Sequence, residues 1–242
     1  MLPGAVIDLI YPSVCLLCFH RLVTHAPIFC EGCVRSIPRL LPPVCQRCAT
    51  PLAGAYDRSA LCRDCERRPL AFDRARAPLL FRGPVREAVH AFKYRGSRRI
   101  GDWLAGEMAR VAAQEGWARS SSVVAPVPMH WLKARLRGMN AAAYLARGLA
   151  RRTGLPYEGR LLAKTRWTGT QTRRDPRQRF RNVQGAFRAG AVAGRSVLLV
   201  DDVLTTGATA HACAAALRQA GAAEVFVLTA ACAPAGETGT QP

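Results

Sequence analysis

The sequence predicts an α/β domain with a mostly parallel sheet behind a small cysteine-rich module. Three observations predict it. Eight of the ten cysteines fall into Cys-x-x-Cys pairs within the first 70 residues. From about Ala71 onward, short apolar runs alternate with helix-like stretches, the pattern of strand and crossover helix. One run, Val197-Leu-Leu-Val-Asp-Asp-Val-Leu-Thr-Thr-Gly-Ala-Thr209, places a buried strand, two acids, a Thr/Gly loop and an Ala-rich helix in succession. The expected division is 1–70 for the module and 71–242 for the α/β domain.

In the module the pairs are Cys15/Cys18, Cys30/Cys33, Cys45/Cys48 and Cys62/Cys65. Two residues between thiolates let one tight turn aim both sulfurs at a single ion, and two turns close a tetrahedron. Eight thiolates suit two structural Zn²⁺ sites with no open position. Cys15/Cys18 with Cys30/Cys33, then Cys45/Cys48 with Cys62/Cys65, is the favoured pairing; spacing alone also permits an interleaved one. Pro38, Pro42, Pro43 and Pro51 break any long helix, so so small a segment needs the metal to fold. His20 and His25 read as exposed ribbon residues.

In the α/β part, Ala77–Phe81 reads as a weak strand and Pro84–Tyr94 as a helix with Pro84 in its first turn. Ile100–Ala113 is a second helix with Ile100, Trp103, Leu104, Met108 and Val111 on one face. Ser122–Val127 is a strand, Asn140–Arg152 a helix, Ala186-Phe187 part of a short strand. Val197–Val200, the helix Ala208–Ala220 and the strand Val225–Ala231 close the series. Cys213 and Cys232 read as buried, inert thiols.

The run 197–209 carries the chemistry. Thr205, Thr206 and Thr209 offer hydroxyls, Gly207 lets the backbone approach an anion, and Ala208 opens a helix whose first N–H groups can hold a phosphate. Asp201 and Asp202 are acceptors for sugar hydroxyls or a hydrated Mg²⁺ ion. A phosphate at one end and a diol at the other describe a ribose 5-phosphate. The run resembles, position by position, the 5-phosphoribosyl 1-pyrophosphate (PRPP) fingerprint of type I phosphoribosyltransferases. Two basic loops accompany it. The loop 126–140 holds Lys133, Arg135 and Arg137, candidates for the pyrophosphate, beside His130. The loop 164–181 sets Lys164, Arg166, Arg173, Arg174, Arg177, Arg179 and Arg181 against Asp175 alone, and reads as a mobile lid.

The formal net charge is +19, from 35 basic and 16 acidic residues. Two zinc–thiolate centres lower it to about +15, still enough to attract polyanions such as single-stranded nucleic acid. Met1–Val14 has no basic residue and is interrupted by Asp8 and Pro12, unlike a signal peptide. No apolar run approaches the ~20 residues of a membrane span. The expected compartment is the cytoplasm, where ten cysteines are not disulfides.

Taken together the chain resembles the ComF-type competence proteins. The resemblance rests on Leu9-Ile-Tyr-Pro-Ser-Val-Cys-Leu-Leu-Cys18, the four cysteine pairs, Phe92-Lys-Tyr-Arg-Gly96, Val124-Ala-Pro-Val-Pro128 and Arg137-Gly-Met-Asn140. It continues through Lys164-Thr-Arg166, Thr170-Gln-Thr172, Arg181-Asn-Val-Gln-Gly-Ala-Phe187 and the fingerprint. It departs where the family's usual Arg-Gly-Phe-Asn-Gln reads Arg137-Gly-Met-Asn-Ala141, and at Thr172-Arg-Arg-Asp-Pro-Arg177. The resemblance implies a type I phosphoribosyltransferase-like fold behind a double zinc ribbon, and a bacterial protein of DNA uptake working near single-stranded DNA and a helicase partner. Two functions fit: a phosphoribosyl-transferring enzyme, or a nucleic-acid-handling module whose PRPP site is a sensor or relic.

Overall fold

The computed structural model describes residues 13–22, 28–54, 60–129, 139–168 and 176–234, with Pro176 and Arg177 described by their backbone alone. Its centre is a parallel sheet. β1 (Arg74–Arg76) and β2 (Leu79–Leu80) lie along one side of β7 (Glu224–Cys232); β6 (Ser196–Leu204) lies along the other, and β3 (Val123–Pro126) follows β6. β4 (Leu162–Lys164) and β5 (Phe187–Ala189) form a separate antiparallel pair.

The pleat sorts the apolar side chains onto two faces. Leu198 and Val200 of β6, with Phe226 and Leu228 of β7, pack with α3 (Gly83–Arg95), α4 (Arg98–Gln114) and α6 (Ala141–Thr153). Val197 and Leu199, with Val225 and Val227, pack on the other face with α8 (Ala208–Gln219) and the β4–β5 pair. Burial on both faces explains why these strands read as continuous apolar runs.

The helices follow their sequence signals. Pro84 sits in the first turn of α3, which ends at Gly96 in the left-handed conformation (φ 64°). Asn140 caps α6 by accepting the Ala143 N–H at 3.2 Å. α4 buries Ile100, Leu104, Ala105, Met108 and Ala112 at helical spacing. A Cβ on Gly101 would stand 2.6 Å from the Phe92 ring and 2.7 Å from Tyr144, so glycine is what lets α3, α4 and α6 meet there. Trp117 of α5 (Trp117–Ser120) stacks on Phe226 at 5.0 Å.

The ribbons, with α1 (Glu31–Ser36) and α2 (Arg63–Arg67), pack onto this body. Cys15, Phe29 and Ile37 join the apolar cluster of α3 and α4, and Phe29 meets Trp103 edge-on at 4.9 Å. The connection between ribbons pairs with β2: Leu40 N–H donates to Pro78 O, and Leu80 N–H to Pro38 O. The second ribbon is held by Arg76. Its guanidinium is buried and donates to Gln46 O and Oε1 and to Glu115.

Several elements depart from expectation, β4 and α5 among them, which the sequence reading leaves without a strand or helix. β6 runs to Leu204 rather than stopping at Val200, because β7 pairs alongside it as far as Leu204–Cys232, and the acids lie within the strand. β1 is hidden in the sequence by its two arginines. The basic loop read as a lid lies outside the described residues over 169–175, and its last part is helical over α7 (Pro176–Val183), which packs on α8. Within it Arg179 is buried, Phe180 lies 5.6 Å from His211, and Asn182 Nδ2 donates to Thr168 O. Arg166 caps the end of α7 by donating to Asn182 O and Gln184 O at 3.0 and 2.9 Å.

Candidate functional site

β3 pairs with β6 only as far as Val200, where Val127 N–H donates to Val200 O. The helix after β3, α6, covers one face of the sheet; the helix after β6, α8, covers the other. Adjacent strands whose connections leave in opposite directions open a crevice at their carboxyl ends. Asp201 and Asp202 sit in β6 at the mouth of this crevice.

Strand alternation sends the two carboxylates to opposite faces. Asp202 shares its face with Leu198 and Val200, where Lys93 of α3 pairs with its Oδ1 at 2.8 Å. Asp201 shares the face of Val197 and Leu199, and its Oδ1 accepts the Asp202 N–H at 2.8 Å. Across that face stands Lys164 at the end of β4, donating to Oγ1 of buried Thr168 at 2.7 Å. Burial pushes the Lys164 ammonium below its ordinary pKa, opposed by the field of the Asp201 carboxylate. Each acid therefore has a lysine on its own side.

Beyond Leu204 the chain turns through Thr205, Thr206 and Gly207. Thr205 is exposed and Thr206 half-buried. Gly207 adopts φ 73° and is the residue before α8, its carbonyl accepting the His211 N–H at 2.8 Å. A side chain would be strained at that φ. Thr206 Oγ1 lies 3.4 Å from the Ala208 N–H, and Thr209 is half-buried in the first turn. The loop thus presents hydroxyls and a glycine at a helix N-terminus, an arrangement that favours an anion.

Lys133, Arg135, Arg137 and His130 lie outside the described residues, as do Arg173 and Arg174. Sequence reasoning gave no role to Lys93. Its signal was present: a lysine at the end of an amphipathic helix, one position after the core residue Phe92.

The eight N-terminal cysteines gather into two clusters, Cys15, Cys18, Cys30, Cys33 and Cys45, Cys48, Cys62, Cys65. Within each, the sulfurs lie within 4.8 Å of one another. Cys18–Cys30 and Cys48–Cys62 are each 3.6 Å apart, close to the roughly 3.8 Å edge of a Zn–S tetrahedron and far from a disulfide. The consecutive pairing is the one found. Cys62 N–H and the Thr50 hydroxyl lie 3.3 and 3.1 Å from sulfurs of the second cluster, contacts that suit thiolates. The residues fit two structural Zn²⁺ ions. Cys213 and Cys232 are buried; burial raises the Cys213 thiol pKa well above its ordinary range and pushes that of Cys232 up to about 12, so both stay neutral. Among the described residues, no helix is long and apolar enough to cross a membrane.

Comparison with known proteins matches a double zinc ribbon domain over residues 6–66 and a phosphoribosyl transferase domain over residues 140–239. Among solved structures, the glutamine PRPP amidotransferase of B. subtilis overlays 58% of this chain and 30% of its own at a TM-score of 0.39 and 28% identity. The DNA utilization protein YhgH of Salmonella typhimurium is 31% identical over 228 residues, 89% of this chain and 95% of its own. Competence protein F of Haemophilus influenzae is 26% identical, covering 88% of this chain and 94% of its own. Competence protein ComFC of Bacillus subtilis is also 26% identical, covering 88% and 92%. With two cysteine clusters leading into a parallel sheet and its Thr/Gly loop, the chain belongs to the ComF family of double zinc ribbon, phosphoribosyltransferase-like proteins.

Proposed function

We propose that this protein binds PRPP with Mg²⁺ at Asp201–Thr209 and acts in the handling of DNA taken up by the cell. The second part follows relatives that are named for competence and DNA utilization. In this reading residues 1–70 are the zinc module, residues 71–242 the phosphoribosyl domain, and the compartment is the cytoplasm.

One observation supports the ligand above all others. Two acids and a Thr/Gly loop at a helix N-terminus share the crevice at the carboxyl edge of the sheet. The 5-phosphate takes the first-turn N–H groups of α8 with the hydroxyls of Thr205, Thr206 and Thr209. The ribose hydroxyls donate to Asp201 and Asp202. Lys133, Arg135 and Arg137 are assigned to the pyrophosphate. Mg²⁺, when bound, supplies charge neutralisation to the leaving pyrophosphate. Transfer to an acceptor at ribose C1 would then rest on positioning and charge stabilisation.

Calorimetry with PRPP and Mg²⁺ on wild type and on the Asp201→Asn/Asp202→Asn double variant tests this. Loss of two charge-assisted acceptors should weaken binding by roughly tenfold or more with the fold retained. Equal affinity in both, or no binding to zinc-loaded wild type, rejects the assignment. Turnover of PRPP across a panel of bases and nucleic acids then separates enzyme from sensor.

A second reading, favoured by a different surface, is single-stranded nucleic-acid binding beside a helicase partner. A cleft of about 570 Å³ lies between the first ribbon and α3, lined by Leu16, Phe19, Arg86, His90, Tyr94 and Arg95 among others. Phe19 and Tyr94 are 65% and 63% exposed, which suits stacking on unpaired bases beside arginines. Binding of this kind weakens steeply with salt.

A further inference from the structure

The Lys93–Asp202 pair makes a further prediction about how the metal enters, and it rests on the PRPP reading above. The Nζ of Lys93 lies 2.8 Å from Asp202 Oδ1, and both side chains are only about one-sixth exposed. A pair so shielded is stronger than an open surface pair. Lys93 projects from the last turn of α3, where a cation is also favoured by the helix C-terminus. The helix fixes its base: Phe92 is in the core and Gly96 ends the turn. The ammonium itself rides on a flexible four-carbon stem, a compact charge able to change partners.

A divalent ion arriving alone would have to displace this ammonium and leave it facing a metal of like charge. A divalent ion arriving on a polyphosphate brings the anions that receive the ammonium. We propose that Lys93 is the resident counter-ion of the site: it holds Asp202 in the ligand-free protein, keeps a bare divalent ion away, and passes to the phosphates of the ligand when metal and ligand enter together. No bond is made or broken; one ion pair is exchanged for another.

The test uses the full zinc-loaded chain and Mn²⁺ in place of Mg²⁺, with free Mn²⁺ read by electron paramagnetic resonance. Lys93→Met should bind Mn²⁺ without ligand about tenfold tighter than wild type, the size expected for freeing one half-buried carboxylate. Lys93→Gln should behave likewise and serves where the Met variant melts early. Lys93→Arg should stay near wild type. Adding Asp202→Asn to Lys93→Met should abolish the gain, which locates the ion. Calorimetry should show weaker PRPP–Mg²⁺ affinity for Lys93→Met. Mn²⁺ affinity equal in wild type and both neutral variants overturns the counter-ion role. Equal PRPP–Mg²⁺ affinity overturns the transfer to phosphate. If wild type binds no PRPP at all, the functional reading fails, while the Mn²⁺ series still reports on the pair.

Discussion

The two zinc ribbons begin as near copies and end in different places. In the first, Cys15 N–H donates to His20 O, Val14 bridges Arg21, and Phe19 follows the pair at φ 60°. In the second, Cys45 N–H donates to Thr50 O, Val44 bridges Pro51, and Ala49 follows the pair at φ 61°. In both, the third cysteine precedes a short helix, α1 or α2. The surroundings then diverge. Cys18 and Phe19 of the first ribbon are exposed, while Cys15 and Phe29 pack into the apolar cluster of α3 and α4. In the second, Cys45, Ala49 and Cys65 are buried, and Arg76 ties Gln46 to β1 and Glu115. The exit of the second ribbon reaches α8: Arg68 lies 4.1 Å over the Phe180 ring, Phe180 meets His211, and the Ala71 N–H donates to His211 Nδ1 at 3.0 Å. The same ligand set thus serves as an outward knuckle in one case and as a strut beside the sheet in the other.

The largest expected difference follows from removing a ligand. A structural zinc contributes on the order of 10 kcal/mol to the segment it folds. Cys45→Ser and Cys18→Ser should each lower the metal content from two zinc per chain toward one. Cys45→Ser should also lower the melting temperature of the whole chain and weaken PRPP binding, because the second ribbon leans on β1 and α8. Cys18→Ser should leave the main unfolding transition and PRPP affinity near wild type. Limited chelation should strip the first site before the second, since Cys18 is exposed. Metal analysis with differential scanning calorimetry checks both; equal losses from the two variants would erase the distinction.

How much of this was legible beforehand varies with the residue. The cysteine pairs, the strand Val197–Val200 and the helix starting at Ala208 declare themselves, because metal spacing, two-sided burial and a glycine before an Ala-rich run are local signals. β1 is not legible: Arg76 is buried in a strand by virtue of Gln46 and Glu115, residues 30 and 39 positions away. α7 is masked for the same reason, since an arginine-rich stretch looks solvated until Phe180 and Arg179 find a partner surface. Lys93 appears in a recognisable motif, yet only the fold brings α3 to β6. Composition reports charge; it does not report which charges face each other.

A smaller effect should come from the junction between the second ribbon and α8. Burial, and then the nearby Arg68, lower the His211 pKa below its ordinary 6.5, and its Nδ1 accepts a backbone proton. The unfolded chain therefore takes up a proton that the folded chain resists. This contribution to stability is full above about pH 6.5 and is lost as pH falls through the depressed folded value. His211→Gln keeps an acceptor and removes the titration. The melting-temperature gap between wild type and His211→Gln should narrow on acidification from about pH 7 to pH 5, by on the order of 2 °C. His90, lowered mainly by burial beside the first ribbon, is unaltered in both proteins and cancels from the comparison. A gap independent of pH would mean that the junction carries no charge-linked stability.

The smallest effect should separate the two knuckles by sign. Phe19 and Ala49 both occupy the left-handed region of φ, which costs a side-chain-bearing residue roughly 1–2 kcal/mol. Glycine relieves that cost but adds about 0.5–1 kcal/mol of unfolded-state entropy. For Phe19, 65% exposed, little packing is lost, so Phe19→Gly should raise stability slightly, by about 0.5 kcal/mol. Ala49 is fully buried, and its methyl contributes roughly 0.8 kcal/mol. Ala49→Gly should therefore be neutral to destabilising by a similar small margin. Denaturant midpoints in the presence of zinc measure both. Phe19→Gly should at the same time weaken binding of a short single-stranded oligonucleotide if the cleft beside α3 takes unpaired bases, while Ala49→Gly should not. A variant more stable yet poorer at binding would show that the first knuckle keeps a strained aromatic for its surface. Equal gains at both positions, with no change in oligonucleotide affinity, would make the two ribbons alike in everything but burial.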